Sequence, residues 1–359
     1  MAHPPMRILQ INTERGWRGG ERQTLLTALN QRKLGHQVEL LAHAKGELAT
    51  RAREQGLIVH HASSGAGFGA WLALHGGRYD VLHAQTAKVV AWAVLTKVFH
   101  RRPLVFSRRT SFPVGSNKWA THWKWRNVDQ LVAISEAAAA APRAIGLQPI
   151  VIQSAVPAVL PAPERITAFI KQYALEGRRL VGTASAFSPE KDPVTLIRAA
   201  AIVCQQFEDV SFVHWGAPGQ ASAAALACIE QLGLQDRYVL PGFTIGVEQL
   251  YPALSVFVMA STFEALGSSV LDAMMQHVPV VSTDAGGLRE TLANGRGLLG
   301  PVGDVEAMAV NIIEVLAQPE KSAAMAQQAY AEVKAEYDVE RMAQRYLNVY
   351  ASVLARRKN

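Results

Sequence analysis

The sequence predicts two doubly wound α/β domains joined by a short linker. Two observations carry this prediction: short apolar runs alternate with helical patterns along the whole chain, and a proline-rich stretch interrupts the series near its middle. The runs lack period-two alternation. Apolar runs of that kind, separated by helices, belong to a parallel sheet covered on both faces.

In the first half the strand candidates are Arg7–Ile11, Val38–Ala42, Ile58–Ala62, Val81–Ala84, Leu104–Ser107, Leu131–Ile134 and Ile150–Ile152. Helical patterns such as Gly20–Leu34 and Lys88–Phe99 lie between them. Pro157, Pro161 and Pro163 then mark an interdomain linker. The alternation restarts with strands at Leu180–Ala184, Val210–Trp215, Tyr238–Leu240, Val256–Met259, Val278–Ser282 and Gly297–Leu299. Pro193–Phe207, Ala221–Leu232, Ser268–Gln276 and Asp304–Leu316 read as helices, and a helical pattern runs on from Ser322 through Arg356. The expected division is residues 1–156, a linker at 157–164, and residues 165–338. Sheets wound in this way bind ligands beyond the carboxyl ends of their strands, so a cleft between the two domains is the expected place for chemistry.

The bulk numbers agree with a globular chain. Of 359 residues, 49% are hydrophobic and 18% charged, too apolar for disorder. The two cysteines, Cys204 and Cys228, fall in helical segments and read as core thiols in a reducing compartment. No Cys/His spacing marks a zinc site. The run Met6–Asn12 leads straight into a polar glycine loop, so it reads as a first strand rather than an export signal. The apolar stretch Val89–Leu95 is far below the roughly 18–20 residues that span a bilayer. A soluble, cytoplasmic protein is expected. Charge is unevenly placed: residues 1–157 hold 20 Lys+Arg against 8 Asp+Glu, a net of +12, while the remainder nets −5. That asymmetry predicts an anionic partner for the first half.

Three constellations carry candidate chemistry. Gly16-Trp17-Arg18-Gly19-Gly20-Glu21-Arg22 follows the first strand and opens a helix, where free backbone N–H groups favour a phosphate. It matches neither G-x-G-x-x-G nor a P-loop, and alone it reads equally as a plain strand-to-helix turn. Ser188-Pro189-Glu190-Lys191 follows the first strand of the second domain, placing a point charge suited to a diphosphate; a solvated lysine is the alternative. Ser261 through Met274 contains an acid, Glu264, before a glycine turn and a helix that starts at Ser268-Ser269. There the free N–H groups of the helix start suit phosphate, Glu264 suits sugar hydroxyls and Asp272 suits a ribose diol. The alternative makes both acids ordinary helix-start and surface charges.

Taken together these segments resemble glycosyltransferase family 4, retaining enzymes of GT-B fold with two Rossmann-like domains facing across a cleft. The glycine loop resembles the family's G-G-x-E loop, and the lysine segment its P-E-K. Phe263 to Met274 resembles its E-x7-E block. Asp284 to Glu290 and Asp129 to Glu136 resemble two further junctions, and the resemblance covers nearly the whole chain. It implies that Gly19, Gly20 and Lys191 contact the donor diphosphate, that Glu264 binds the transferred sugar, that the amides around Leu266, Gly267, Ser268 and Ser269 cap the phosphates, and that Asp272 holds the ribose. The base would lie near Pro241-Gly242-Phe243, and a C-terminal helix from 339 would return to the first domain. The donor implied is a UDP-sugar, with no cofactor and no metal; no Asp-x-Asp occurs in the chain. Departures are Asp272 for the usual Glu, Ala265 for a glycine, and Ala186 where an arginine is usual. Arg108 and Arg109 are candidates to compensate by holding phosphate or acceptor, and a surface role is equally open. His83, at the end of the fourth strand, is a candidate for sugar or acceptor contact; a packed histidine is the alternative.

Between Asp80 and Asp129 stand nine Lys+Arg and no acid, interleaved with Phe112, Trp119, Trp123 and Trp125. This pattern suits peripheral contact with an anionic inner membrane and a glycan or lipid-linked acceptor, as in lipopolysaccharide or envelope polysaccharide synthesis; a solvated basic face over core tryptophans is the equal alternative. No nucleic-acid-binding pattern occurs. A non-catalytic nucleotide- or glycan-binding relative and a nucleotide-sugar epimerase are the alternatives.

Overall fold

The computed structural model describes residues 4–357. In chain order its elements are β1 (Arg7–Asn12), α1 (Gly19–Lys33), β2 (Gln37–His43), α2 (Glu47–Glu54), β3 (Ile58–Ala62), α3 (Gly65–His75), β4 (Val81–Ala84), α4 (Ala87–Leu95), α5 (Lys97–His100), β5 (Leu104–Arg108), α6 (Lys118–Arg126), β6 (Gln130–Ala133), α7 (Glu136–Arg143) and β7 (Ile150–Val151). They continue as α8 (Pro163–Gln172), β8 (Arg179–Ala184), α9 (Pro193–Gln206), β9 (Val210–Trp215), α10 (Ser222–Gln231), β10 (Tyr238–Val239), β11 (Leu254–Met259), α11 (Ser268–Met275), β12 (Val280–Thr283), α12 (Gly287–Thr291), β13 (Leu298–Gly300), α13 (Val305–Ala317), α14 (Pro319–Glu336) and α15 (Val339–Ala355). Two compact units result. One runs to Ala155 and takes up the chain again from Asp338; the other is Val156–Tyr337.

The first unit holds a seven-stranded sheet in the order β3-β2-β1-β4-β5-β6-β7, with every pair parallel. Alternate residues of a strand face opposite sides, and both sides are apolar here. Ile8, Val38, Val81, Val105 and Val132 pack on α1, α2 and α15. Leu9, Ile11, Leu41, Leu82 and Phe106 pack on α3, α4 and Trp125 of α6. Burial on two faces is why these strands read as unbroken apolar runs. Gly65 and Gly69 let α4 come close to α3, since a Cβ at Gly69 would lie 2.9 Å from the Trp92 ring.

The second unit is a six-stranded parallel sheet, β10-β9-β8-β11-β12-β13. In each sheet the strand order reverses once, at β1/β4 and at β8/β11. Loops leaving the carboxyl ends of those strands therefore diverge and open a crevice.

Three expected segments differ in detail. The pattern Lys88–Phe99 splits into α4 and α5 at Thr96, whose hydroxyl donates to the Trp92 carbonyl (2.8 Å). The run from Ser322 splits at Tyr337 and Asp338, because the Asp338 carboxylate caps α15 through Arg341 N–H (2.8 Å). The linker expected at 157–164 is shorter. Helix α8 already begins at Pro163, a position where its missing N–H costs nothing. Gln276 Nε2 donates to the Val159 carbonyl (2.6 Å), fastening the stretch to the second unit.

A buried polar network joins α15 to the first sheet. Gln10 and Gln31 donate to the Tyr350 hydroxyl oxygen (3.3 and 3.1 Å), and that hydroxyl lies 2.6 Å from His83 Nδ1. With both lone pairs of Tyr350 engaged, its hydrogen goes to His83 Nδ1. The imidazole proton then sits on Nε2 and is donated to Ser107 Oγ (2.8 Å), which also meets the Tyr346 hydroxyl (2.9 Å). Tyr350→Phe removes the hub and leaves three buried groups short of a partner. Its expected cost is about 1–3 kcal/mol of unfolding free energy, read from urea denaturation; a value near zero means that the network does not hold α15.

Candidate active site

The carboxyl ends of β8 and β11 bring most of the candidate donor residues together within the second unit. Beyond β8 the chain makes a 3-10 turn at Pro189–Lys191, and the Asp192 carboxylate caps α9 by accepting from Thr195 N–H (3.3 Å), with the Thr195 hydroxyl donating to its other oxygen (2.6 Å). Beyond β11 a loop leads to α11, and beyond β12 another leads to α12. Thr262 N–H donates to the Glu190 carbonyl and Gly287 N–H to the Glu264 carbonyl, both at 2.9 Å, so the three loops are tied side by side. Lys191 Nζ then forms an ion pair with the Glu264 carboxylate, the two side chains being 23% and 15% exposed. Glu264 Oε1 also accepts from Ala265 N–H (3.2 Å).

The start of α11 carries no side-chain cap. Gly267 enters it with φ +85°, and a Cβ there would lie 2.6 Å from Leu288 Cδ2. Position 267 therefore needs glycine on two grounds. Ser268 and Ser269 are partly exposed, whereas Leu266 is buried in the core beneath the turn. Asp272 is buried and stands four residues after Ser268, on the same face of the helix. Gly242 and Phe243 lie beyond β10. Gly242 has φ +80° and its carbonyl accepts from Gly216 N–H (3.1 Å), which brings this loop beside the one leaving β9.

Sequence reasoning missed His214. It is the penultimate residue of β9, buried and stacked on Phe187 (4.1 Å between ring centres), with Nε2 3.1 Å from both Ser185 oxygens and Nδ1 3.1 Å from the Tyr238 hydroxyl. It holds the first residue of the loop that carries Lys191. Burial lowers its pKa to about 4, so it is neutral at pH 7. Nothing in the sequence separates it from any other strand-end histidine.

The first unit holds a second group. Gly19 and Gly20 open α1, and Arg18 N–H donates to Glu21 Oε2 (3.0 Å), closing the turn. Burial raises the pKa of Glu21, opposed by Asn12, which donates to its other oxygen (3.3 Å). Arg109 lies beside this turn: a Cβ on Gly20 would stand 3.8 Å from Arg109 Cδ. Its guanidinium donates to Gln85 Oε1 (3.0 and 2.6 Å) and to Ser154 Oγ (3.1 Å).

Two expectations are corrected here. Arg108 does not face a ligand. It is the last residue of β5, on the same side as Phe106, and is 5% exposed. It donates to the carbonyls of Ala138 (2.8 Å) and Phe112 and lies over Trp125 (5.2 Å). Burial lowers its pKa to about 10. His83, expected to meet sugar or acceptor, is enclosed as well. It is 0% exposed, both ring nitrogens are engaged as described above, and burial holds its pKa well below the ordinary value. It is a packed histidine.

Two parallel-sheet units of this kind, with a lysine, an acid and an open helix start at one switch point, define a glycosyltransferase of GT-B type. The model described as "Glycosyltransferase Family 4" matches residues 17–158, and "Glycosyl transferases group 1" matches residues 165–332. The chain belongs to this glycosyltransferase family. It is similar to the lipopolysaccharide core biosynthesis mannosyltransferase LpcC of Rhizobium leguminosarum bv. viciae, at 28% identity over 80% of this chain and 82% of that protein. It also resembles the 2-deoxystreptamine glucosyltransferase of Streptomyces kanamyceticus, at 31% identity over 44% of this chain and 42% of that one. Among solved structures, Anabaena Alr3699/HepE in complex with UDP and glucose superposes with a TM-score of 0.86 at 23% identity, over 97% of this chain and 100% of that one. A glycosyltransferase from Rickettsia africae does so with a TM-score of 0.86 at 17% identity, over 98% and 99%.

Two outcomes follow from the geometry. Lys191→Met strands Glu264, and stability falls by about 1–2 kcal/mol for a pair this exposed; adding Glu264→Gln recovers most of it. No recovery in the double variant in thermal unfolding contradicts the pairing. His214 takes up its proton in the unfolded chain near pH 6.5 but in the folded chain only near 4. Its contribution is therefore complete above pH 6.5 and is lost as pH falls towards 4, by up to roughly 3 kcal/mol. His214→Asn flattens that slope, and an unchanged slope rejects the assignment.

Proposed function

We propose that this glycosyltransferase moves a sugar from a UDP-sugar to a glycan or lipid-linked acceptor, with retention of anomeric configuration, in bacterial envelope polysaccharide or lipopolysaccharide synthesis. The observation that carries the donor reading is the ion pair of Lys191 and Glu264 beside the uncapped start of α11. Each partner has a second use. On donor binding Lys191 turns to the diphosphate and Glu264 to the sugar hydroxyls, so the pair opens only when both are present. The amides near Leu266, Gly267, Ser268 and Ser269 receive phosphate oxygens, Asp272 holds the ribose, and Gly242-Phe243 flank the base. The UDP of the solved Anabaena relative and the lipopolysaccharide role of the Rhizobium relative support this choice of donor and pathway.

In the transfer the bond between anomeric carbon and phosphate oxygen breaks, and its electron pair leaves on the diphosphate. Lys191 and the α11 amides stabilise that charge in place, which is where most of the rate gain arises. The acceptor hydroxyl adds on the same face of the sugar, and its proton passes to the departing phosphate; no dedicated base is needed. No metal enters the proposal, since the chain has no Asp-x-Asp to carry one. Gly19, Gly20 and Arg109 of the first unit are proposed to meet phosphate or acceptor. The acceptor is met at the inner face of the cytoplasmic membrane. Ala186, standing where the family has an arginine, favours one second reading, a weakened relative that binds nucleotide without turnover.

Thermal unfolding with UDP-, GDP-, ADP- and CMP-sugars is expected to show stabilisation by the UDP class alone, abolished in Lys191→Ala. Stabilisation by another class reassigns the donor. Proton NMR of the product is expected to show the donor's anomeric configuration, and an inverted product rejects retention. Glu264→Gln lowers turnover on the order of a hundredfold. Stabilisation without nucleotide release supports the weakened relative.

A further inference from the structure

We infer that the face of the first unit built from α4, α5 and α6 is a docking surface for an anionic lipid bilayer. Six large apolar side chains stand exposed on these three helices: Trp92 and Leu95 on α4, Val98 and Phe99 on α5, and Trp119 and Trp123 on α6. Phe99 is 68% exposed and Trp119 78%. Single exposed apolar residues are ordinary on a protein surface, but a gathered group marks a contact. The three helices that carry them are neighbours, since α4 packs on both α5 and α6.

The layout of α6 shows that this exposure is not leftover core. Trp119 and Trp123 are four residues apart and share a face, while Trp125 turns the other way and is buried against Phe106. The helix thus spends one tryptophan on the core and aims two at solvent. Tryptophans with an apolar body and one polar N–H favour the boundary between lipid headgroups and acyl chains.

Charge decides among partners. Residues 81–128 contain no Asp or Glu. Lys118, Lys124 and Arg126 of α6 have no acidic partner among the described residues, and Arg101 stands exposed just after α5. Lys88 and Lys97 are matched by Glu14 (3.0 Å) and Asp129 (2.7 Å), and Arg108 is buried, so the free charge concentrates along α6. A basic rim around aliphatic and aromatic side chains suits anionic headgroups above an apolar interior. A nucleic acid would satisfy the cations but leave Leu95, Val98 and Phe99 in water. Contact is peripheral: among the described residues no helix is long and apolar enough to cross a membrane. The surface stands apart from the donor assignment, since protein on a vesicle can be counted without any turnover.

The test is sedimentation of the full chain with phosphatidylglycerol-containing vesicles and with pure phosphatidylcholine vesicles at physiological ionic strength. Binding to the anionic vesicles alone is expected, with a blue shift of tryptophan emission. The triple variant Lys118→Glu, Lys124→Glu, Arg126→Glu weakens it about a hundredfold, at roughly fivefold per lost cation. Val98→Ser with Phe99→Ser removes the stable fraction while charge is unchanged. Both variants keep the wild-type circular dichroism and, in the same sample, any nucleotide binding. Absence of binding, or equal binding to both vesicles, overturns the inference. So does binding that survives both sets of substitutions, displacement by duplex DNA at equal phosphate concentration, or a dimer in solution that Phe99→Ser dissolves.

Discussion

Two backbone hydrogen bonds, from Thr262 to Glu190 and from Gly287 to Glu264, hold the loops after β8, β11 and β12 in one row. The placement of the candidate chemistry depends on them. They bring a lysine from one loop to a carboxylate from the next, in a setting protected enough for the pair to form and open enough for a ligand to separate it. The glycines there are consequences of the same crowding. A side chain at Gly287 would overlap the Ala265 carbonyl oxygen, so the loops meet only because that position is bare. His214 serves the same end from below, anchoring Ser185 at the base of the loop that reaches Lys191.

The first unit reaches order by another route. Its sheet interior is crossed by a chain of neutral polar groups, in which Gln10, Gln31, His83, Ser107, Tyr346 and Tyr350 satisfy one another. Such a network is stabilising only when every member is paired. Here it fixes α15, the last stretch of the chain, against strands laid down at its beginning. Gln85 continues the network to Arg109, donating to Gln10 (2.7 Å) while accepting from the guanidinium. The arginine beside the Gly19-Gly20 turn is thus positioned by the core rather than free on the surface.

What was legible in the sequence follows from what a one-dimensional pattern records. Thirteen strands were readable, the central ones because burial on both faces writes a continuous apolar run; their order within each sheet was not. Helix breaks were not: Thr96 and Asp338 interrupt patterns that are apolar on both sides of them. Arg108 and Arg109 are neighbours of identical type, and only strand parity separates a buried strut from a cation beside α1. His83 and His214 sit at equivalent strand ends, where an apolar run gives no hint of which polar groups wait inside. The three tryptophans of α6 likewise divide into core and surface only once the helix is placed. The donor residues were read from motif resemblance, and the structure adds the hydrogen bonds that gather them.

The central claim is that the loops after β8, β10 and β11 of the second unit receive the nucleotide-sugar. Amide hydrogen exchange of the full chain with and without UDP-sugar tests it most directly. Slowed exchange in the segments around Ser185–Lys191, Glu264–Val270 and Gly242–Phe243, with α13 and α14 unchanged, is the predicted result. Slowed exchange only in the first unit, or in the second unit only away from those loops, would contradict it.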